Sequence, residues 1–515
     1  MGLSKETVDW LRRDYPHCFV DGAAAPADVV VIDVTERFMY PSAGVGGRHR
    51  PQNCLDMLHL VEEFIADKAS GCNPGAVVVA LVDDGASVPL EKGVAHATRY
   101  GAQEGPVPQM GGGVEGDVVG TEYALPWEEA RAAAVEKAPA GRATTMNHEW
   151  REITRNRSVR QRLARFVADR LVRTATLGRR SGGGFVVSAP HAGSRELGLE
   201  VKAVRLLEGG RREVTHHRGV LPAAAAGEAD VQTPLLLRWM DAHRGAMGLP
   251  ARALSVWVTS KDSDMLPICA ALSAALGPDK MRIAALRRAY NSTTRAYSAC
   301  FVDTTALAEA FCDDARASGR DRGAYVSNLL FAIALSGCDF VKRPKACTPA
   351  ALAAQVASTP VLSVTPCVTQ DSGGLRCGAA YTASARASRD CLRRTWTSAC
   401  GGVAGSDGLT LRDTLAHIRA TPKMGKFRIT KDEPNRVEAS WRAAVWVAYY
   451  WTAAAAGTHN FATFQADCCA RAGATAVSRP FGFSCATEDG GRATVSHAGQ
   501  DDVVNLSLPA LRLFG

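Results

Sequence analysis

Four short apolar runs rich in β-branched residues recur through the first half of the chain, at residues 29–32, 76–82, 184–188 and 254–258. Segments with an apolar residue every three or four positions alternate with them, at 54–70, 128–137, 152–174, 233–243 and 325–335. A short continuous apolar run rich in β-branched residues fits a strand and a period of 3.6 a helix, so the order reads strand, helix, strand, helix. That order predicts an α/β fold: a mostly parallel central sheet flanked by helices on both faces. Gly/Ala-rich stretches at 101–120, 175–183, 205–227 and 370–408 read as surface loops or insertions.

In such sheets the reactive groups gather beyond the carboxyl ends of the strands, so the residues there carry the most information. The first run, VVVID, ends on Asp33, and the second, VVVALVDDG, ends on Asp83 and Asp84. The run SVWVTSKDSD delivers Asp262 and Asp264. GEAD places Glu228 and Asp230 at the start of a helical segment, and LSGCDF places Asp339 after another. Any one of these acids taken alone is an ordinary cap or turn residue. Gathered at one sheet edge they would repel one another and raise their own pKa values unless cations neutralised them.

Hard carboxylate oxygens suit Mg²⁺ or Mn²⁺. Two such ions about 4 Å apart can activate a water and stabilise the leaving oxygen of a phosphodiester. The sequence has no GxxxxGK[ST] phosphate loop, and no Ser, Cys or His arrangement marks a competing nucleophile. Net charge is +8 with an isoelectric point near 8.8, which favours a polyanionic partner. Arginines crowd residues 151–180 on the outer side of an amphipathic helical pattern.

The order and wording of these motifs resemble the 5′-nuclease superfamily, a PIN-like or FEN-like nuclease fold, over residues 1 to about 345. Met1-Gly2, Asp33, VDDG, GEAD, KDSD and GCDF follow the family's order. The Xrn-type 5′–3′ exoribonucleases resemble it most: MGLSKETVDWLRRDYP, DGASVPLEK and GCDFVKRP are similar to their motifs, and the segment around Trp446, Tyr449 and Tyr450 is similar to an aromatic helix of theirs. The resemblance implies a 5′-nuclease catalytic domain over residues 1–345, with insertions near 101–150 and 189–226. It leaves 346–515 as a helix-rich or irregular carboxyl-terminal extension packed on that domain.

By the same resemblance, Asp33, Asp84, Glu228, Asp230, Asp262, Asp264 and Asp339 hold two Mg²⁺ or Mn²⁺ ions, with Asp84 preferred to Asp83. Lys92, His96 and Arg99, spaced to share one helix face, match positions that engage the 5′ and scissile phosphates. Gly2 would let the amino-terminal backbone approach substrate, and Tyr40 would stack on a base. Asp230 departs from the family's pattern, which has glutamate there. His216 and His217 read as exposed loop residues rather than ligands.

The implied activity is metal-dependent 5′-to-3′ hydrolysis of single-stranded RNA bearing a 5′ monophosphate. A flap-type DNA nuclease and a non-catalytic nucleic-acid-binding scaffold are the alternatives. KRPKACTPAALAAQ lacks the glycines of the duplex-gripping turn in the flap branch, which favours RNA. The seven retained acids disfavour a scaffold, because acids opposite a phosphate backbone weaken binding. The opening residues lack the apolar stretch of a secretory signal, no run reaches the ~20 apolar residues of a membrane span, and the fifteen cysteines include no CxxC pair. We therefore expect a soluble, intracellular protein with mostly free, buried thiols and no membrane partner.

Overall fold

The computed structural model describes residues 3–21, 26–39, 54–82, 157–173, 183–188, 199–206, 211–221, 229–245, 247–260, 262–291, 296–319, 322–338, 341, 343, 348–358, 368–371, 374–377, 444, 451, 477–478, 483–488, 492–497 and 503–507. The strands of its main sheet are β1 (Phe19–Asp21), β2 (Val29–Asp33), β3 (Val77–Val82), β4 (Gly183–Ser188), β5 (Leu199–Leu206), β6 (Arg212–Leu221), β7 (Leu254–Thr259), β8 (Met281–Asn291) and β9 (Ala296–Asp303). They run in the spatial order β1-β9-β8-β7-β2-β3-β4-β5-β6. All four apolar runs of the sequence are strands here, and each pairs in parallel with another of the four or with β8.

The side chains show why β2, β3 and β7 occupy the middle. Val29 and Val31 of β2 join one buried cluster while Val30 and Ile32 join another, and β3 divides in the same way, with Val77, Val79 and Leu81 against Val78, Ala80 and Val82. A strand apolar at every position has no face to give to water, so both faces must be covered. One face is covered by the helices Lys5–Asp14, Ala229–Ala242, Met265–Leu276, Thr304–Ala317 and Arg322–Leu335, and the other by Cys54–Ala69 and Arg157–Arg173. The result is a three-layer α/β arrangement.

The expectation of a mostly parallel sheet needs correction. Only the five central strands β8, β7, β2, β3 and β4 are mutually parallel, and the four outer pairings, β1-β9, β9-β8, β4-β5 and β5-β6, are antiparallel. The reason is connection length: only residues 292–295 separate β8 from β9, too few for the crossover that a parallel pair requires. The stretch 205–227, read as a loop, likewise contains β6, which pairs with β5 through a bulge between Leu199 and Val201. His216 and His217 therefore lie on a strand, and the His217 ring sits 5.3 Å from that of Trp239.

The helix-rich carboxyl-terminal part is met by one described helix of any length, Pro349–Ser358. The other described elements there are mainly strands: a hairpin of β10 (Val368–Asp371) and β11 (Gly374–Cys377), and an antiparallel sheet of β12 (Val477–Ser478), β13 (Phe483–Glu488), β14 (Arg492–His497) and β15 (Val503–Ser507). Trp446, Tyr449 and Tyr450 lie outside the described residues. No described helix is long and apolar enough to cross a membrane. Six described cysteines are free thiols, four of them buried.

Candidate functional site

Parallel pairing of β2 with β7 puts Ile32 opposite Thr259, so the residues that follow, Asp33 and Ser260, emerge side by side at the carboxyl edge. The Ser260 hydroxyl donates to Asp33 Oδ2 at 3.2 Å. In turn the backbone N–H of Asp262 donates to Ser260 Oγ at 3.1 Å, and that of Asp264 to Asp262 Oδ1 at 3.1 Å. One hydrogen-bonded chain thus ties the first and fourth acidic motifs together. Asp264 is fully buried at the start of the Met265–Leu276 helix.

Asp33 also performs the ordinary task of an acid at that position. Its Oδ1 accepts the backbone N–H of Glu36 at 3.3 Å, capping the short Thr35–Met39 helix. Capping does not make its ionisation easy. Burial pushes the Asp33 carboxyl up from 3.8 to about 7, and the charges of Glu36 and then Asp230 push the same way against the two hydrogen bonds it accepts. Asp230, itself buried, stands in the first turn of the Ala229–Ala242 helix. Pro234, lacking an N–H, cannot donate to the Asp230 carbonyl, so the regular ladder of that helix is broken beside the acid.

The amino terminus closes the other side of the edge. Ser263, between the two acids of KDSD, donates its hydroxyl to the Leu3 carbonyl at 3.4 Å. The next residue, Ser4, donates its N–H to Gly337 at 2.9 Å and its hydroxyl to the Ser336 carbonyl at 3.2 Å. Gly337 adopts a φ of +107°, a backbone conformation that residues with side chains rarely take, beside Ser4 and Arg343. The LSGC segment is therefore anchored, through Leu3 and Ser4, to the loop carrying Asp262 and Asp264.

Of the seven acids expected at this edge, Asp33, Asp230, Asp262 and Asp264 are described. Asp33 and Asp230 interact through their charges, and Asp262 joins Asp33 through Ser260. Asp84, Glu228 and Asp339 lie outside the described residues, as do Gly2, Tyr40, Lys92, His96 and Arg99. Among the described residues, no three Asp, Glu, His or Cys side chains stand together as a ready metal-ligand set.

No family model matches this chain, and neither does any curated protein.

Two participants escaped the reading of the sequence. Glu36 lies three residues after Asp33, the spacing of a helix cap and its first turn, which was the available signal. Ser260 carried no signal, because its part depends on β2 and β7 being neighbours, which no local pattern reveals.

Proposed function

We propose that this protein is a divalent-metal-dependent nuclease with a PIN-like catalytic domain, hydrolysing single-stranded RNA from 5′-monophosphate ends. One observation carries the reading: at the carboxyl edge of the parallel strands Asp33 is joined through Ser260 to the loop of Asp262 and Asp264, where burial and the charges of Glu36 and Asp230 raise its pKa. A carboxyl crowded by other carboxylates is costly to ionise, and a cation would remove that cost. The donor set is all hard oxygen, which fits Mg²⁺ or Mn²⁺.

Asp33 and Asp230 would hold the ions directly, with Asp262 and Asp264 beside them and Asp84, Glu228 and Asp339 completing the set by the family resemblance. Bound there, the ions would lower the pKa of a water and neutralise charge on the leaving oxygen. The chain's own contribution is positioning. Ser260 and the Glu36 N–H fix both oxygens of Asp33, and Asp262 is held by its backbone bond to Ser260. Lys92, His96 and Arg99 are proposed to pair with the 5′ phosphate, and Tyr40 to stack on a base.

Incubation with 5′-labelled single-stranded RNA and with flap DNA, with and without Mg²⁺, tests the reading. Metal-dependent cleavage of the RNA is expected. Preference for the flap would transfer the assignment to a DNA nuclease, and cleavage of neither would remove it.

A further inference from the structure

The hairpin of β8 and β9 is longer than the sheet it belongs to. The register sets Ile32 of β2 opposite Thr259 of β7, and Thr259 opposite Leu286 of β8. Asp33, Ser260 and Arg287 therefore share one level at the carboxyl edge. There β2 and β7 end, but β8 pairs with β9 for four further rungs, Arg288 with Ala299, Ala289 with Ser298, Tyr290 with Tyr297 and Asn291 with Ala296. On the other side β1 stops at Asp21, opposite Cys300, so no described strand flanks these four rungs. At about 3.3 Å per residue, this two-stranded arm reaches about 13 Å past the level of Asp33, two strand spacings or about 10 Å to its side.

The arm adds little to the core. Leu286 and Phe301, opposite each other one rung before Arg287, belong to the apolar cluster beneath the Cys54–Ala69 helix. Continued along the arm, that same face holds Arg288 opposite Ala299 and then Tyr290 opposite Tyr297. The apolar character stops and is replaced by a cation and two aromatic residues. A hairpin needed only to finish the sheet could turn directly after Arg287.

This composition narrows the ligand. Every nucleobase has a face that stacks on an aromatic ring, and positive charge beside such rings favours a phosphate backbone, which is the pattern of single-strand binding surfaces. A tyrosine pair on one rung also steadies a hairpin by itself. That role requires neither the arginines nor a place beside the acids. We propose that the β8–β9 hairpin is a base-stacking arm, with Tyr290 and Tyr297 receiving bases of the single strand whose backbone lies at the Asp33 edge. This inference rests on the nuclease reading and adds to it the surface that takes the bases.

The test is binding of the full chain, with Ca²⁺ replacing Mg²⁺, to a 5′-phosphorylated oligoribonucleotide and to the same oligomer made abasic through its 5′ half. Mg²⁺-dependent cleavage by the wild type is measured in parallel. The wild type should prefer the base-bearing oligomer by about tenfold or more, the worth of one stacked base. Tyr290→Val with Tyr297→Val keeps strand-forming residues in the arm and should narrow that preference to about twofold, with affinity for the abasic oligomer unchanged. Tyr290→Phe with Tyr297→Phe keeps both rings and should retain the wild-type preference. A valine variant with the full preference, a phenylalanine variant that loses it, or a wild type that binds both oligomers alike would overturn the inference, while cleavage by the wild type left the nuclease reading standing. Absence of cleavage in the wild type would remove the nuclease reading itself, and with it the role given to the arm.

Discussion

Replacing Asp33 with asparagine removes the charge that the edge resists while keeping an oxygen able to accept from Glu36 or Ser260. The rise from 3.8 to about 7 amounts, at 1.36 kcal/mol per unit, to about 4 kcal/mol against the ionised carboxylate. Relaxation and water penetration reduce what a melt records, so about 2 kcal/mol or more is expected, a shift of a few degrees. The sign follows from proton counting. Between about pH 4 and pH 7 the folded protein keeps a proton that the unfolded chain releases, so stability falls as pH rises through that window. Thermal melts in EDTA should show wild type and Asp33→Asn alike below pH 4, with the variant increasingly the more stable up to pH 7 and the gap constant above it. Mn²⁺ at pH 8 should raise the wild type and leave the variant nearly unmoved. A variant less stable than wild type at pH 8, or a gap independent of pH, would mean that Asp33 does not resist ionisation in the fold.

Three further outcomes follow. Asp262→Asn combined with Asp264→Asn should abolish Mg²⁺-dependent cleavage while leaving RNA affinity in a filter-binding assay largely intact, and unchanged turnover would reject their assignment. Lys92→Ala and Arg99→Ala should lose the preference for 5′-phosphate over 5′-hydroxyl RNA, whereas an equal loss on both substrates would mean they do not read that phosphate. Away from the site, burial raises the Asp28 carboxyl, but the paired N–H groups of Arg252 at 2.7 and 2.8 Å, with Ser255 and Asn73, outweigh it and hold the pKa down. Arg252→Ala should therefore lower stability at neutral pH in a urea melt, a loss that fades as pH falls through the carboxylate range.

How far the sequence foretold the fold depends on how local each signal was. The runs at β2, β3, β4 and β7 were legible because a strand buried on both faces must be apolar throughout, and VVVID or VVVALV admits little else. The edge hairpin of β5 and β6 was not legible. Its outer strand, REVTHHRGVL, mixes charge with β-branched residues and exposes Glu213, Thr215 and His216, which reads as a loop until pairing with β5 is known. β8 and β9 were missed for a related reason, since Arg282, Arg287 and Arg288 interrupt the apolar character of β8, and Tyr297 and Ser298 that of β9.

At the site, acids at strand ends could be found because the position itself is diagnostic in parallel sheets. What joins them could not. The Ser260 bridge, the Leu3 contact with Ser263 and the Ser4 contacts with Ser336 and Gly337 link residues more than two hundred positions apart. Such links exist only once the strand order is fixed. Glu36 lies between the two cases, being visible as a cap partner but not as a charge crowding Asp33 beside Asp230.

The acids at the ends of β2 and β7 are proposed to seat divalent cations. Crystals of the full chain soaked in Mn²⁺, with anomalous differences recorded at the manganese edge, address it directly. One or two peaks are expected within about 2.3 Å of a carboxylate oxygen of Asp33 or Asp230. A soaked crystal with no peak at that edge, or with manganese bound only elsewhere, would contradict it.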